Sequence, residues 1–399
     1  MSGESRRDGG NAANALFRRY PELGERIAWI SLGVRPTPVE RLALEDGAAA
    51  AGDAWIKRDD LSAEPYGGNK VRKLEFLLAE ARVRGARRLI TAGAVGSHHA
   101  LATTVYGRAH GFPVSLVLFP QPLTPHVRDV LLLDHAFGAE LHHVPRMELI
   151  PAALVGMRLA RRRDRPFVIA PGGSDPVGTL GYVAAALELA DQIAAGEAPR
   201  PDVVYVTAGT LGTAAGLAVG FALAGLDCRI VATRIASRLV TNGRALRRLV
   251  EGVVRVLRRA GAPAVEPAAA LGRITLDHGQ VGRGYGHETA AGRRARTRFA
   301  AAGLEVDPTY TAKAAAGFLA ALARRNAGTV LFWHTLSATE PVPDAPARVA
   351  DPAAGSAYGE PRRAPAAAAG VPDLPAPFRR YLEAGGPEPA TPASQRIGP

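Results

Sequence analysis

The stretch Gly67-Gly68-Asn69-Lys70-Val71-Arg72-Lys73-Leu74-Glu75 sets an amine just after two glycines, which permit a tight turn and close backbone approach. The apolar spacing of Val71, Leu74, Leu77 and Leu78 predicts a helix carrying Lys70 in its first turn. A cation at a helix N-terminus meets an unfavourable dipole, which pushes its pKa toward the neutral amine, the form that attacks an aldehyde. An ordinary lysine at a solvated helix start fits the same local pattern, and Lys73, on roughly the same face, competes for the role. Lysine usage adds weight: of 49 lysines and arginines only Lys57, Lys70, Lys73 and Lys313 are lysine. Arginine neither forms an imine nor loses a proton near neutral pH.

A second feature runs from Val203 to Gly216: a β-rich run, the glycine-rich turn Gly209-Thr210-Leu211-Gly212-Thr213, then a small-residue helix. Such a turn aims backbone N–H groups at the positive end of a helix dipole, with Thr210 and Thr213 adding hydroxyls, which makes a phosphate cup. A plain tight turn between strand and helix is the alternative. There is no Gly-Lys-Ser/Thr, and the glycine spacing departs from the dinucleotide fingerprint.

Both features need a frame to hold them. The 399 residues are 47% hydrophobic and 22% charged, enough for a sizeable core in one two-lobed domain or two domains. Short extended pieces are expected at Trp29 to Leu32, Val39 to Leu44 and Trp55 to Lys57. Strands follow at Arg88 to Ala92, Val114 to Phe119, Leu141 to Val144, Phe167 to Ala170, Val203 to Thr207, Arg229 to Ala232 and Val330 to Trp333. Amphipathic stretches alternate with them, at Lys73 to Arg84, Val127 to Phe137, Leu180 to Ala194 and Ala312 to Arg324. That alternation predicts an α/β fold with parallel sheets and loops of function at the strands' carboxyl ends. Beyond about Glu340 the pattern gives way to a Pro- and Ala-rich tail, expected to be mostly disordered or loosely docked, with one short helix at Phe378 to Ala384.

Other function classes are narrowed by composition. No apolar run is long enough to span a membrane and the N-terminus lacks a secretory apolar region, so a cytoplasmic protein is expected. The net charge of +12 comes from arginines spread along helix faces without interleaved aromatics, which argues against nucleic acid as a partner. Cys228, in an apolar stretch, reads as a buried inert thiol. His98 and His99 are adjacent, point different ways on a helix, and have no carboxylate or cysteine at ligand spacing, so no metal is expected.

Taken together, Lys57-Arg58-Asp59-Asp60-Leu61, Gly67 to Lys70, Arg72 to Glu75, Gly172-Gly173-Ser174, Gly282-Arg283-Gly284-Tyr285-Gly286 and Asp307 to Ala314 closely resemble the D-cysteine desulfhydrase and 1-aminocyclopropane-1-carboxylate deaminase family. The matches run in family order from about residue 35 to 335. The resemblance implies pyridoxal 5'-phosphate as cofactor and a two-lobed fold type II architecture, with parallel-rich twisted sheets and flanking helices. Residues 1–72 with 184–340 would form the larger cofactor-binding domain, 73–183 a smaller inserted one, and 341–399 the tail. It implies a homodimer acting on a small amino acid. By resemblance, Lys70 is the Schiff-base lysine, Ser97, Tyr285 and Tyr310 act beside it, Gly209, Thr210, Leu211, Gly212 and Thr213 hold the phosphate, and Asn69, His98 and Thr311 contact the cofactor.

Thr311 takes the position that meets the pyridine nitrogen, where cyclopropane deaminases place a glutamate. A threonine resembles the desulfhydrase branch and suits β-elimination from D-cysteine or a related β-substituted amino acid. Cyclopropane deamination, another reaction of the same cofactor, and a non-catalytic homologue that keeps it are the alternatives. This chain departs from the family in three places. His98 stands for an asparagine, Leu336-Ser337 for two glycines after His334-Thr335, and Ala94 for a glycine.

Overall fold

The structure is a computed structural model that describes residues 13–44, 53–324, 328–343 and 371–386. Its strands are β1 (Val39–Arg41), β2 (Asp53–Arg58), β3 (Arg88–Ala94), β4 (Val114–Phe119), β5 (Glu140–His143), β6 (Pro166–Val168), β7 (Val203–Ala208), β8 (Arg229–Arg234), β9 (Ile274–Asp277) and β10 (Thr329–His334). They form a six-stranded sheet ordered β1-β2-β10-β7-β8-β9 and a four-stranded sheet ordered β5-β4-β3-β6. Among the described residues, only β1 with β2 pairs antiparallel; the other pairings are parallel. Parallel strands covered on both faces read as continuous apolar runs, and all six residues of β7 are buried.

The helices are α1 (Ala15–Arg19), α2 (Asn69–Val83), α3 (His98–Ala109), α4 (Pro125–Ala136), α5 (Ile150–Ala160), α6 (Pro176–Ala194), α7 (Gly212–Leu223), α8 (Gly243–Ala260), α9 (Pro267–Leu271), α10 (Ala290–Ala301), α11 (Thr311–Leu322) and α12 (Ala376–Glu383). Side-chain caps fix several starts: Ser97 accepts from Ala100 N–H, Thr124 from Val127, Asp175 from Gly178 and Asn242 from Ala245. Among the described residues no helix is long and apolar enough to cross a membrane. The Cys228 thiol is buried and pushed up to about 12 by that burial, a setting that keeps it unreactive.

Two expectations about elements are corrected. Trp29 to Leu32 is not a strand, because its polar groups are taken by one turn of α2. Ile30 N–H donates to Glu75 O, Leu32 N–H to the Glu75 carboxylate, and the Trp29 indole N–H to the same carboxylate. Strand β9 is not anticipated by the sequence pattern; only four residues long at the sheet's edge, it shows little of the alternation that marks a strand.

Of the Pro-rich tail, 344–370 and 387–399 lie outside the described residues. The predicted short helix is present as α12, and it is firmly seated: Leu374 and Phe378 are 0% exposed within the core of the smaller sheet.

Candidate active site

The C-terminal ends of β3, β4 and β7 open onto a cavity of about 630 Å³, lined from both sheets. Ligands in α/β proteins sit at this position because loops converge there and helix N-termini point inward. Every residue expected at the site lines it: Asn69, Lys70, Ser97, His98, Gly209, Thr210, Leu211, Gly212, Thr213, Tyr285, Tyr310 and Thr311.

Lys70 is delivered by the double-glycine turn. Gly68 has φ +82, and a Cβ there would come within 2.7 Å of Thr335 O, so only glycine allows the turn to pack on the segment after β10. The Ser337 departure is locally compensated, since its hydroxyl oxygen accepts from Gly67 N–H at 2.8 Å. Lys70 Nζ donates to Asn69 Oδ1 at 2.8 Å, and burial in the cleft lowers its pKa to about 8, opposed by the nearby Asp307 carboxylate. Lys73 lines the same cavity with other partners. It donates to Gly172 O and Ser174 Oγ, both at 3.0 Å, and a Cβ on Gly212 would come within 2.7 Å of its Nζ. Lys73 thus holds its amine at the turn before α7, while Lys70 holds its own against Asn69, whose amide donates to Thr213 of the same turn.

The turn before α7 has the features of an anion cup. Leu211, at the N-cap, adopts φ +69 and offers no side-chain cap; Ser174 Oγ accepts from Gly212 N–H at 3.2 Å, and a Cβ on Gly212 would strike Ser174 Oγ and Lys73 Nζ, so only glycine fits at the helix start. Lys73 adds an amine at this cup, a role that the sequence pattern, in which it only competes with Lys70, does not reveal.

The opposite walls carry hydroxyls and rings. Ser97 caps α3, accepting from Ala100 N–H at 3.3 Å, which leaves its own proton for the cavity. Gly93 is needed beside it, because a Cβ would come within 2.6 Å of Ser97 Oγ. Tyr285 and Tyr310 share a short hydroxyl–hydroxyl hydrogen bond, with ring centroids 5.7 Å apart in an edge-to-face arrangement. Burial pushes Tyr285 up to about 12 and Tyr310 well above its ordinary value, so both stay phenols at neutral pH. His98 sits 2.5 Å from the Tyr66 hydroxyl through Nδ1, and burial lowers it to about 4, leaving it neutral.

Sequence reasoning assigns no role to Tyr66 or Asp307. Asp307 orders the start of α11: its carboxylate accepts from the N–H groups of Thr309, Tyr310 and Thr311 and from Thr311 Oγ1. An Asp followed by Pro before an apolar helix is a legible helix-start signature, although its consequence for Thr311 is not. The Thr311 proton is held by Asp307 Oδ2 at 2.7 Å, so donating to a ring nitrogen would require breaking that bond.

Lys313 is a further residue whose role the sequence pattern does not show. It is fully buried and donates to Val281 O at 2.9 Å and Gly284 O at 2.8 Å, holding the loop that presents Tyr285. Lys313→Met is expected to lower kcat/KM about tenfold or more, since a loop shift of about 1 Å misplaces the tyrosine, while costing about 1–3 kcal/mol of stability. Steady-state kinetics beside urea unfolding checks both figures.

The donor set fits pyridoxal phosphate: an amine with a depressed pKa, a glycine-rich helix start with a second amine and a serine hydroxyl at it, and neutral His98, Tyr285 and Tyr310 lining the same cavity. Among the described residues no three His, Cys, Asp or Glu side chains gather as a metal would need. Comparison with known proteins agrees with the fit. Residues 30–335 match the family described as pyridoxal-phosphate dependent enzyme. The nocardicin C-9' epimerase of Nocardia uniformis subsp. tsuyamanensis is 35% identical over 79% of this chain and 93% of its own. The D-cysteine desulfhydrase of Serratia proteamaculans is 32% identical over 75% of this chain and 90% of its own. A solved 1-aminocyclopropane-1-carboxylate deaminase homologue superposes with a TM-score of 0.68 at 30% identity, over 81% of this chain and 94% of that one. The chain belongs to the pyridoxal-phosphate dependent enzymes of fold type II, in the group that holds the D-cysteine desulfhydrases and the 1-aminocyclopropane-1-carboxylate deaminases.

Proposed function

We propose that the enzyme is a lyase or deaminase of small amino acids, with β-elimination from D-cysteine or a related β-substituted amino acid as its reaction. The observation that carries this reading is the separation of base and acid in one cavity. Lys70, lowered to about 8, can take a proton, while the Tyr285–Tyr310 pair, held as phenols, can give one. Pyridoxal phosphate, when bound, supplies an electron sink for charge developing at the amino acid's α-carbon.

The protein's own groups do the rest. The turn Gly209 to Thr213, with Lys73, would hold the phosphate, and Asn69, His98 and Thr311 would flank the ring. Lys70 Nζ removes the α-proton. Only one proton is needed in the Tyr285–Tyr310 hydrogen bond, so the other hydroxyl proton is free to meet a departing thiolate. The Ser97 hydroxyl, fixed as a helix cap, is placed to hold the substrate carboxylate. A cytoplasmic homodimer is the setting that the family precedent supports, and light scattering on the purified protein checks the assembly.

A second reading, epimerisation of an amino acid, is favoured by the epimerase among the relatives and by a base and an acid lining one cavity. One experiment separates them. The cofactor-loaded enzyme is incubated with D-cysteine and other amino acids in deuterated water. Sulfide, pyruvate and ammonia support elimination; inverted amino acid deuterated at the α-carbon, without keto acid, replaces it with epimerisation. No turnover and no α-deuteration of any amino acid would leave a non-catalytic homologue.

A further inference from the structure

The family match ends at residue 335, yet α12 returns to the smaller sheet some forty residues later and is tied to the rim of the cavity. The Tyr381 hydroxyl donates to the main-chain oxygen of Gln121 at 2.7 Å. Phe378, fully buried, meets His143 edge-on with centroids 5.6 Å apart. Just past the helix, Gly386 lies so close that a Cβ would come within 2.8 Å of Leu123 Cβ.

The segment held this way, Gln121 to Leu123, is wedged between two working parts of the site. On one side a Cβ on Gly96, next to Ser97, would come within 2.9 Å of Gln121 Nε2. On the other, a Cβ on Gly286, next to Tyr285, would come within 2.8 Å of Pro122 Cδ. Each glycine lets the segment pack directly on its backbone, so a shift of the segment is passed on, stiffly through the Pro122 ring to Gly286 and through the more adaptable Gln121 side chain to Gly96. Gln121 and Pro122 also line the cavity themselves.

We infer that α12 is a brace, with Tyr381 and Phe378 as positioning residues that set the spacing between the Ser97 turn and the Tyr285 loop through the Gln121–Leu123 wedge. The kinetic consequence rests on the reading of Ser97 and Tyr285 given above; the mechanical one does not. Amide hydrogen exchange on the full-length, cofactor-loaded protein tests it, comparing the natural chain with Tyr381→Phe and Phe378→Ala. Tyr381→Phe is expected to speed exchange in residues 95–101 and 282–287 about fivefold, the shift that one lost hydrogen bond gives. KM should rise more than kcat falls, because the spacing governs how substrate is received.

Phe378→Ala should do the same more strongly. Faster exchange confined to 371–386, with both distant segments and the kinetic constants unchanged, would overturn the inference. Should Phe378→Ala fail to fold, Tyr381→Phe decides alone. Should the enzyme turn over none of the amino acids tried, the exchange pattern by itself still supports or overturns the brace.

Discussion

Lys70→Ala is expected to cost about a thousandfold or more in turnover, the scale of losing a group that acts at the reacting atoms, and to abolish covalent attachment of the cofactor. Borohydride reduction followed by peptide mass spectrometry reads the second effect without any substrate: the adduct should sit on the Lys70 peptide and vanish in the variant. The pH dependence follows from burial. An amine lowered to about 8 leaves roughly one molecule in ten neutral at pH 7, against about one in 2,500 for an unperturbed lysine. Attachment to the apo protein should therefore speed up about tenfold per unit up to pH 8 and then level off.

Lys73→Ala is the informative control. Its amine lies at the phosphate cup, so that variant should still form the adduct but need more cofactor to do so. If the adduct instead followed Lys73, the assignment of the two lysines would be reversed.

Much of this site is visible in the sequence, for a reason that applies to some residues and not others. Gly68 and Gly212 are dictated by local geometry, where a Cβ would strike a neighbour, so glycine spacing reveals them. Strands such as β4 and β7 are buried on both faces, and apolar runs announce them. Tyr66, Lys313 and Tyr381 are different. Each acts through a partner about thirty residues away or more, His98, the carbonyl groups of Val281 and Gly284, or Gln121, and no local pattern specifies such pairings. The Trp29 segment illustrates the same limit: apolar composition suggests extension, but its hydrogen bonds come from Glu75 on a helix. A residue that lines the cavity as expected can still conceal its state, as Thr311 does with its proton committed to Asp307.

Arg72, two residues beyond Lys70, anchors the buried charge network on which α2 rests, and Arg72→Met is expected to destabilise the fold by about 3–5 kcal/mol, the usual cost of breaking a buried ion pair from one side. Its guanidinium donates to both oxygens of Asp59 and both of Glu188, at 2.7 to 3.1 Å. Lys57 donates to Glu188 at 2.7 Å, and Asp59 also accepts from Tyr182 and Trp333, each at 2.7 Å. The network therefore joins β2, α2, α6 and β10, with two cations balancing two carboxylates.

Burial alone would raise both acids. The contacts with Arg72, aided by Lys57, outweigh it and hold Asp59 and Glu188 below the ordinary carboxylate range. Groups whose pKa is depressed by folding contribute stability that is present above their unfolded values, about 4, and lost as pH falls through the folded ones. The two carboxylates should thus contribute their full share from pH 7 to about 5 and lose it in stronger acid, on top of the loss below about pH 6.5 that buried neutral histidines such as His98 impose on any variant. In Arg72→Met the sign reverses. Two buried carboxylates face one remaining cation, their pKa values rise above the unfolded ones, and protonation relieves the uncompensated charge. Relative to the natural chain, that variant should gain stability as pH falls from 7 toward 5. Urea unfolding across pH 4 to 8 reads both slopes; parallel curves for the two proteins would show that Arg72 holds the carboxylates in place without setting their charge.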